Sequence, residues 1–162
     1  MSPDPASALL GDVARKAHVS RHSIRIKRLH ANARLPERAT AGSTGYDLYA
    51  CLEEPLELGP EPVRVPTGFA MEFASGLDVQ IRPRSGLSSQ GVLVVLGTVD
   101  SDYRGEVLVT MYTLPHRRSH VVQDGDRIAQ MVVNRADEVS VELAEELSAT
   151  SRDTGGHGST GR

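Results

Sequence analysis

Glycine and proline cut this chain into short apolar pieces at intervals of roughly ten residues, a spacing that favours a β-sandwich or barrel of many short strands. Between the breaks the apolar residues alternate instead of recurring at helical spacing. Ile24 and Ile26 alternate with Arg25 and Lys27, and Tyr46, Leu48 and Ala50 alternate with Asp47 and Tyr49. Phe69, Met71 and Phe73 share one face of a strand predicted to begin just after Pro66-Thr67-Gly68, and Val79 and Ile81 continue the pattern as far as Pro83. Val92 to Leu96 is a continuous apolar run of the length of a buried strand. Val107, Val109 and Met111 alternate with Leu108, Thr110 and Tyr112, and Ile128 to Val133 closes the series. At most one short helix is expected inside this all-β domain.

The two ends read differently. Residues 1–23 are predicted to be a flexible extension, with Leu9, Leu10, Val13, Ala14 and Ala17 at spacing that permits one short amphipathic helix. They lack the apolar core and small-residue cleavage site of a secretory signal, and Asp4 and Asp12 argue against an organellar leader. Residues 24–147 form the expected β domain. Residues 148–162 are rich in Gly, Ser and Thr and hold no Leu, Ile, Val or Phe, so they cannot bury enough apolar surface to order themselves. A mobile tail that a ligand organises is the expectation.

The 162 residues suffice for one domain with an ordinary core. No apolar stretch reaches the roughly 18 residues that a membrane-spanning helix needs. The single Cys51 excludes an internal disulfide framework and suits a reducing cytoplasm. A net charge of -3 gives no general reason to expect nucleic-acid binding. Residues 1–40 carry eight Lys/Arg against Asp4, Asp12 and Glu37, a local balance of +5, which leaves -8 for the remainder. A solvated basic arm is the plainer reading of that asymmetry. His18, His22, His30, His116 and His120 show no metal-ligand spacing and read as surface residues.

Three polar segments interrupt the apolar pattern: Arg82-Pro83-Arg84-Ser85-Gly86-Leu87, Gly125-Asp126-Arg127-Ile128-Ala129-Gln130, and Arg152 to Gly161. Each offers what phosphate binding needs: a planar cation from Arg, hydroxyl donors from Ser or Thr, and Gly where backbone N–H groups must close on oxygens. Singly, each is as well explained as a turn or a dangling tail. A fourth segment, Gly97 to Gly105, gathers Asp100, Asp102, Tyr103 and Arg104 in one turn. It is either an acidic hairpin or a carboxylate held ready to polarise a water beside a ring that can pack on a sugar or base.

Taken in order, with Ala41 to Ala50 ahead of them, these segments resemble the five motifs of the trimeric dUTP nucleotidohydrolases (dUTPases), from about Ser23 to Arg162. Val65 to Ala70 also matches that family's pattern. The resemblance implies a jelly-roll-like β-sandwich or barrel, a cytoplasmic homotrimer with sites shared between subunits, and hydrolysis of dUTP to dUMP and pyrophosphate. That activity limits uracil incorporation into DNA and supplies dUMP for thymidylate synthesis. It also implies roles. Asp100 would activate the attacking water. Tyr103 would pack under the deoxyribose, and Gly97, Thr98 and Val99, with the strand near Leu108, would read uracil. Arg84, Ser85, Gly86 and Gln130 would hold phosphate oxygens. Arg152, Gly158, Ser159 and Thr160 would close over the γ-phosphate, with His157 stacking on the base. Mg²⁺ is the implied cofactor, held mainly by substrate phosphates and waters, with Asp47 near those waters or bracing the site.

The chain departs from the family in three places. His157 replaces a stacking Phe, Asp153 replaces a Gly, and the link from Arg84 to Asp100 is short, with Val94 and Val95 near where many members carry an Asn. Three other readings stand against this one, of which a purely structural jelly-roll would have no need of the Arg–Ser–Gly clusters. A dCTP deaminase of the same fold would want a Glu in the strand after the motif-three turn, and Val107 to Met111 offers none. A non-catalytic nucleotide sensor would have no need to keep Asp100, Arg84 and Arg152.

Overall fold

The structure, a computed structural model, describes residues 23–117, 119–151 and 153–154. Ten strands and one short helix follow in order: β1 Arg25–Arg28, β2 Tyr46–Tyr49, β3 Leu56–Leu58, β4 Val63–Glu72, β5 Leu77–Arg82, α1 Ser85–Ser88, β6 Val92–Val94, β7 Gly97–Val99, β8 Glu106–Thr113, β9 His120–Val122 and β10 Arg127–Arg135. One four-stranded sheet runs β1-β4-β8-β6 and the other β2-β10-β5-β7, with β3 and β9 paired as a separate ribbon. Strand pairs are antiparallel throughout. This is a sandwich, as the alternation favoured, with the jelly-roll-like character that the resemblance implied.

The inward faces of the sheets meet over Leu48, Phe69, Val79, Val109, Met111 and Ile128, each at most 1% exposed. Burial of each such side chain contributes about 1.5–3 kcal/mol, and truncating Phe69 to Ala would cost about 3–5 kcal/mol. Along β8 the inward Val107, Val109 and Met111 are buried, whereas Leu108, Thr110 and Tyr112 face outward, as the alternation predicts.

Five details differ from the sequence reading. The strand carrying Phe69 and Met71 does not begin after Gly68. It starts at Val63 and runs through Pro66-Thr67-Gly68 by way of a bulge. A bulge tolerates proline, and bulges of one type place a residue at positive φ. Gly68 supplies it at φ 73°, and a β-carbon there would meet Cys51 Sγ at 2.6 Å and Ala33 Cβ at 2.8 Å. The run Val92 to Leu96 yields only a three-residue strand, and Val95 (46%) and Leu96 (72%) are exposed where the chain crosses from one sheet to the other. Both faces of β2 are covered, since Asp47 and Tyr49 are buried along with Leu48. The ribbon of β3 and β9 was not anticipated, because three-residue strands leave too little alternation to detect. His120, in β9, is half-buried and bonded at Nδ1 to Arg117 Nη2 at 3.0 Å, so it is no free surface histidine. Burial, then the Arg117 charge, lowers its pKa against a smaller opposing pull from Asp126.

Regular structure ends at Arg135. Beyond it the described residues form no strand or helix, and Val139, Val141, Leu143 and Leu147 are each more than three-quarters exposed. Arg152, His157, Gly158, Ser159 and Thr160 lie outside the described residues, as does nearly all of the 1–23 extension. No described helix is long and apolar enough to cross a membrane.

Candidate active site

β10 lies between β2 and β5, and its register sets Gln130 opposite Asp47 on one side and Arg82 on the other. These three side chains therefore stand in one row across the outer face of their sheet. Asp47 is only 9% exposed, and a carboxylate so buried is costly unless its oxygens are engaged. Both are. Oδ1 accepts Arg84 Nε at 3.1 Å and Oδ2 accepts Arg127 Nη1 at 3.3 Å. A register shift in β10 between Arg127 and Ala129 accompanies the placement of Arg127 beside Asp47. Arg84 is fixed a second time, because its Nη1 donates to the Arg127 carbonyl at 3.0 Å. Its guanidinium has five N–H donors, so the fork is oriented with donors still free.

Gln130 is held just as firmly. Its Nε2 donates to the Pro83 carbonyl at 2.8 Å, and its side-chain oxygen lies where a β-carbon of residue 45 would be. Only glycine at 45 leaves that room. Pro83 ends β5, and the chain turns into α1, where Ser85 and Gly86 are exposed next to Arg84. The structure thus brings together Asp47, Arg84, Ser85, Gly86 and Gln130, and adds Arg127 and Gly45. Arg127 sits inside a segment already marked as phosphate-suited. Its tie to Asp47 follows from strand register, which spacing along the chain does not reveal.

The other predicted residues form a second group. Gly97, Thr98 and Val99 are β7 itself, paired with Ile81, Gln80 and Val79 at the edge of the sheet. Asp100 follows, exposed, and its carbonyl accepts the Tyr103 N–H at 3.1 Å to close a turn. Tyr103 is 45% exposed and its Oη donates to the Glu106 carbonyl at 3.0 Å. Arg104 Nη1 donates to the carbonyls of Ser101 and Tyr103, and Nη2 lies 3.5 Å from Glu72 Oε1. Leu108 faces outward from β8 at 37% exposure.

The two groups do not meet in one chain. Val99, the last residue of β7, stands opposite Val79, so Asp100 lies near the start of β5 while Arg84 lies beyond its end. At about 3.3 Å of rise per residue, that is on the order of 20 Å.

Fold and site define, at the level of class, a jelly-roll protein with two arginines gathered on one buried carboxylate. Residues 31–161 match the dUTPase family. The deoxyuridine 5'-triphosphate nucleotidohydrolase of Chlamydia trachomatis serovar L2 is 45% identical over 139 residues, 83% of this chain and 95% of that one. Among solved structures, the dUTPase of Staphylococcus bacteriophage 80alpha with dUPNHPP superposes with a TM-score of 0.77 at 25% identity, covering 87% of this chain and 99% of that one. A variant dUTPase from phage phi11 of S. aureus, described with a structural Mg(II) ion, gives 0.69 at 22% identity, covering 76% of this chain and 97% of that one. The chain belongs to the dUTPase family.

Proposed function

We propose that this protein hydrolyses dUTP to dUMP and pyrophosphate at sites shared between the copies of a homotrimer. The observation that carries the reading is the separation of the Asp100 turn from the Asp47–Arg84–Arg127 cluster along β5. Each group matches a family motif, and each is half a site. Completion by another copy is supported by apolar surface that one chain leaves uncovered. The segment after β10 exposes Val139, Val141 and Leu143 on alternate residues, and Val95, Leu96 and Leu108 are exposed on the sandwich. A groove of about 490 Å³ lined by Ile24, Ile26, Leu35, Tyr46, Leu77 and Val133 is of a kind that a strand from a neighbouring copy can fill.

In the completed site, Asp100 takes a proton from a water that attacks the α-phosphorus, and the bond to the bridging oxygen of the β-phosphate breaks to release pyrophosphate. Arg84, already oriented by two bonds, and Gln130 hold phosphate oxygens with Ser85 and Gly86, so little reorganisation is needed as charge develops. Gly97 to Val99 and Leu108 border the uracil, and Tyr103 lies under the deoxyribose. Mg²⁺ fits this site as a partner of the triphosphate and its waters, since both oxygens of Asp47 are engaged by arginines and Asp47 acts as a brace. When bound, the ion supplies charge neutralisation on the phosphate oxygens. The only carboxylate at the start of β8, on Glu106, accepts the Gly68 N–H at 2.7 Å, an arrangement that does not favour deamination of cytosine. A buried free Cys51 is compatible with work in the cytoplasm. There the reaction would keep uracil out of DNA and supply dUMP.

Turnover in heavy-oxygen water tests the direction of attack. The label is expected in dUMP, and label in pyrophosphate would contradict attack at the α-phosphorus. The tail extends the proposal: Arg152, Gly158, Ser159 and Thr160 close over the γ-phosphate, and His157 stacks on the uracil. A chain ending at Thr150 should keep its melting temperature and oligomeric state, because the sandwich core is formed without those residues. It should lose efficient hydrolysis, since closure excludes water from the phosphates. Normal turnover by the shortened chain would remove the tail from the mechanism.

A further inference from the structure

Val65 to Ala70 matches the family pattern, yet nothing in the site described above uses it. The β4 bulge falls within it. Pairing with β8 runs from Val63 and Met111 to Pro66 and Leu108, breaks, and resumes at Ala70 and Glu106. Across the break two side chains do what the ladder cannot. Thr67 Oγ1 donates to the Val107 carbonyl at 2.6 Å, and the Gly68 N–H donates to Glu106 Oε1 at 2.7 Å. Gly68 is itself a fixed point. Its left-handed backbone excludes other residues, and its carbonyl accepts the Leu29 N–H at 2.8 Å and the His30 N–H at 3.2 Å.

Glu106 is therefore tied to a rigid bulge by its side chain, and its backbone carbonyl is the acceptor for Tyr103 Oη at 3.0 Å. The Tyr103 ring folds back over Gly105, where any β-carbon would collide with it. A continuous path thus runs from the Gly68 N–H through the Glu106 carboxylate and backbone to the Tyr103 hydroxyl. A carboxylate accepting a backbone N–H makes a charge-assisted bond, stronger than its neutral counterpart.

We propose that Glu106 is a positioning residue that fixes the Tyr103 ring by anchoring its acceptor to the β4 bulge, and so sets the preference for deoxyribose over ribose. The inference rests on the reading of Tyr103 as the ring beneath the sugar. Without the anchor, the start of β8 is free to shift and the ring with it, and a ribose 2'-hydroxyl is no longer refused.

The test is the ratio of kcat/KM for dUTP to that for UTP, with melting temperature measured alongside, in Glu106→Ala, Glu106→Gln, Glu106→Asp, Tyr103→Ala and the Glu106→Ala/Tyr103→Ala double variant. Glu106→Ala should lower the ratio by roughly tenfold, the worth of one hydrogen bond to a charged group. Glu106→Asp, one methylene too short to reach Gly68, should lower it too and keeps the test open where Glu106→Ala fails to fold. Glu106→Gln retains an acceptor oxygen and should stay within about twofold of wild type. The double variant should discriminate no worse than Tyr103→Ala alone, because coupled residues are not additive. A loss of melting temperature with an unchanged ratio, while Tyr103→Ala loses discrimination, would overturn the role of Glu106. So would equal losses in Glu106→Gln and Glu106→Ala. An unchanged ratio in Tyr103→Ala would overturn the sugar reading itself, and the route through Tyr103 with it.

Discussion

Asp100→Asn is expected to fold, assemble and bind dUTP while losing roughly two to four orders of magnitude in kcat, the usual contribution of a general base. The turn that carries Asp100 is closed by its backbone carbonyl, which the substitution leaves in place. Among the described residues its carboxylate has no hydrogen-bond or ion-pair partner, so an amide of the same shape breaks nothing in the fold. What it removes is the ability to accept a proton from water. Steady-state kinetics with a binding measurement on a non-hydrolysable analogue separates the two effects. A fall in kcat with unchanged affinity is the expected pattern. Near-normal turnover would exclude Asp100 as the base.

Two inactive variants should make an active enzyme. Arg84→Gln loses the oriented cation but keeps an amide able to donate to Asp47, so the buried carboxylate is not stranded. Co-expressed with Asp100→Asn, it forms mixed assemblies. Where an Arg84→Gln copy contributes Asp100 and its neighbour contributes Arg84, the site is intact. Random pairing makes that about a quarter of all sites in a cyclic assembly with one interface per site. Purified separately, each variant is expected to be nearly inactive, so recovery to that level is a large effect. A co-expressed pair no better than its parents would place both residues in the same chain's site, against the distance set by β5.

Much of the sandwich was legible because burial of one sheet face imposes alternation, and β8 keeps that pattern through Val107, Val109 and Met111. The bulge at Pro66 to Gly68 was read as the start of a strand because proline and glycine weaken any strand signal. Only the paired partner, β8, shows that the strand passes through. The same limit applies to the site. Asp100, Arg84 and Gln130 were marked from local chemistry and family pattern, each within a few residues of its motif. Arg127 on Asp47, Gly45 beneath Gln130 and Glu106 on Gly68 depend on residues about 40 or more positions apart meeting across strands, and no local spacing encodes such contacts.

Whether this protein is a dUTP-specific hydrolase is decided by product analysis after incubation with dUTP, dCTP, dTTP and UTP, with and without Mg²⁺. dUMP and pyrophosphate are expected from dUTP in the presence of Mg²⁺, with the other three nucleotides largely untouched. Formation of dUTP from dCTP, or recovery of all four nucleotides unchanged with Mg²⁺ present, would rule out a dUTP-hydrolysing enzyme.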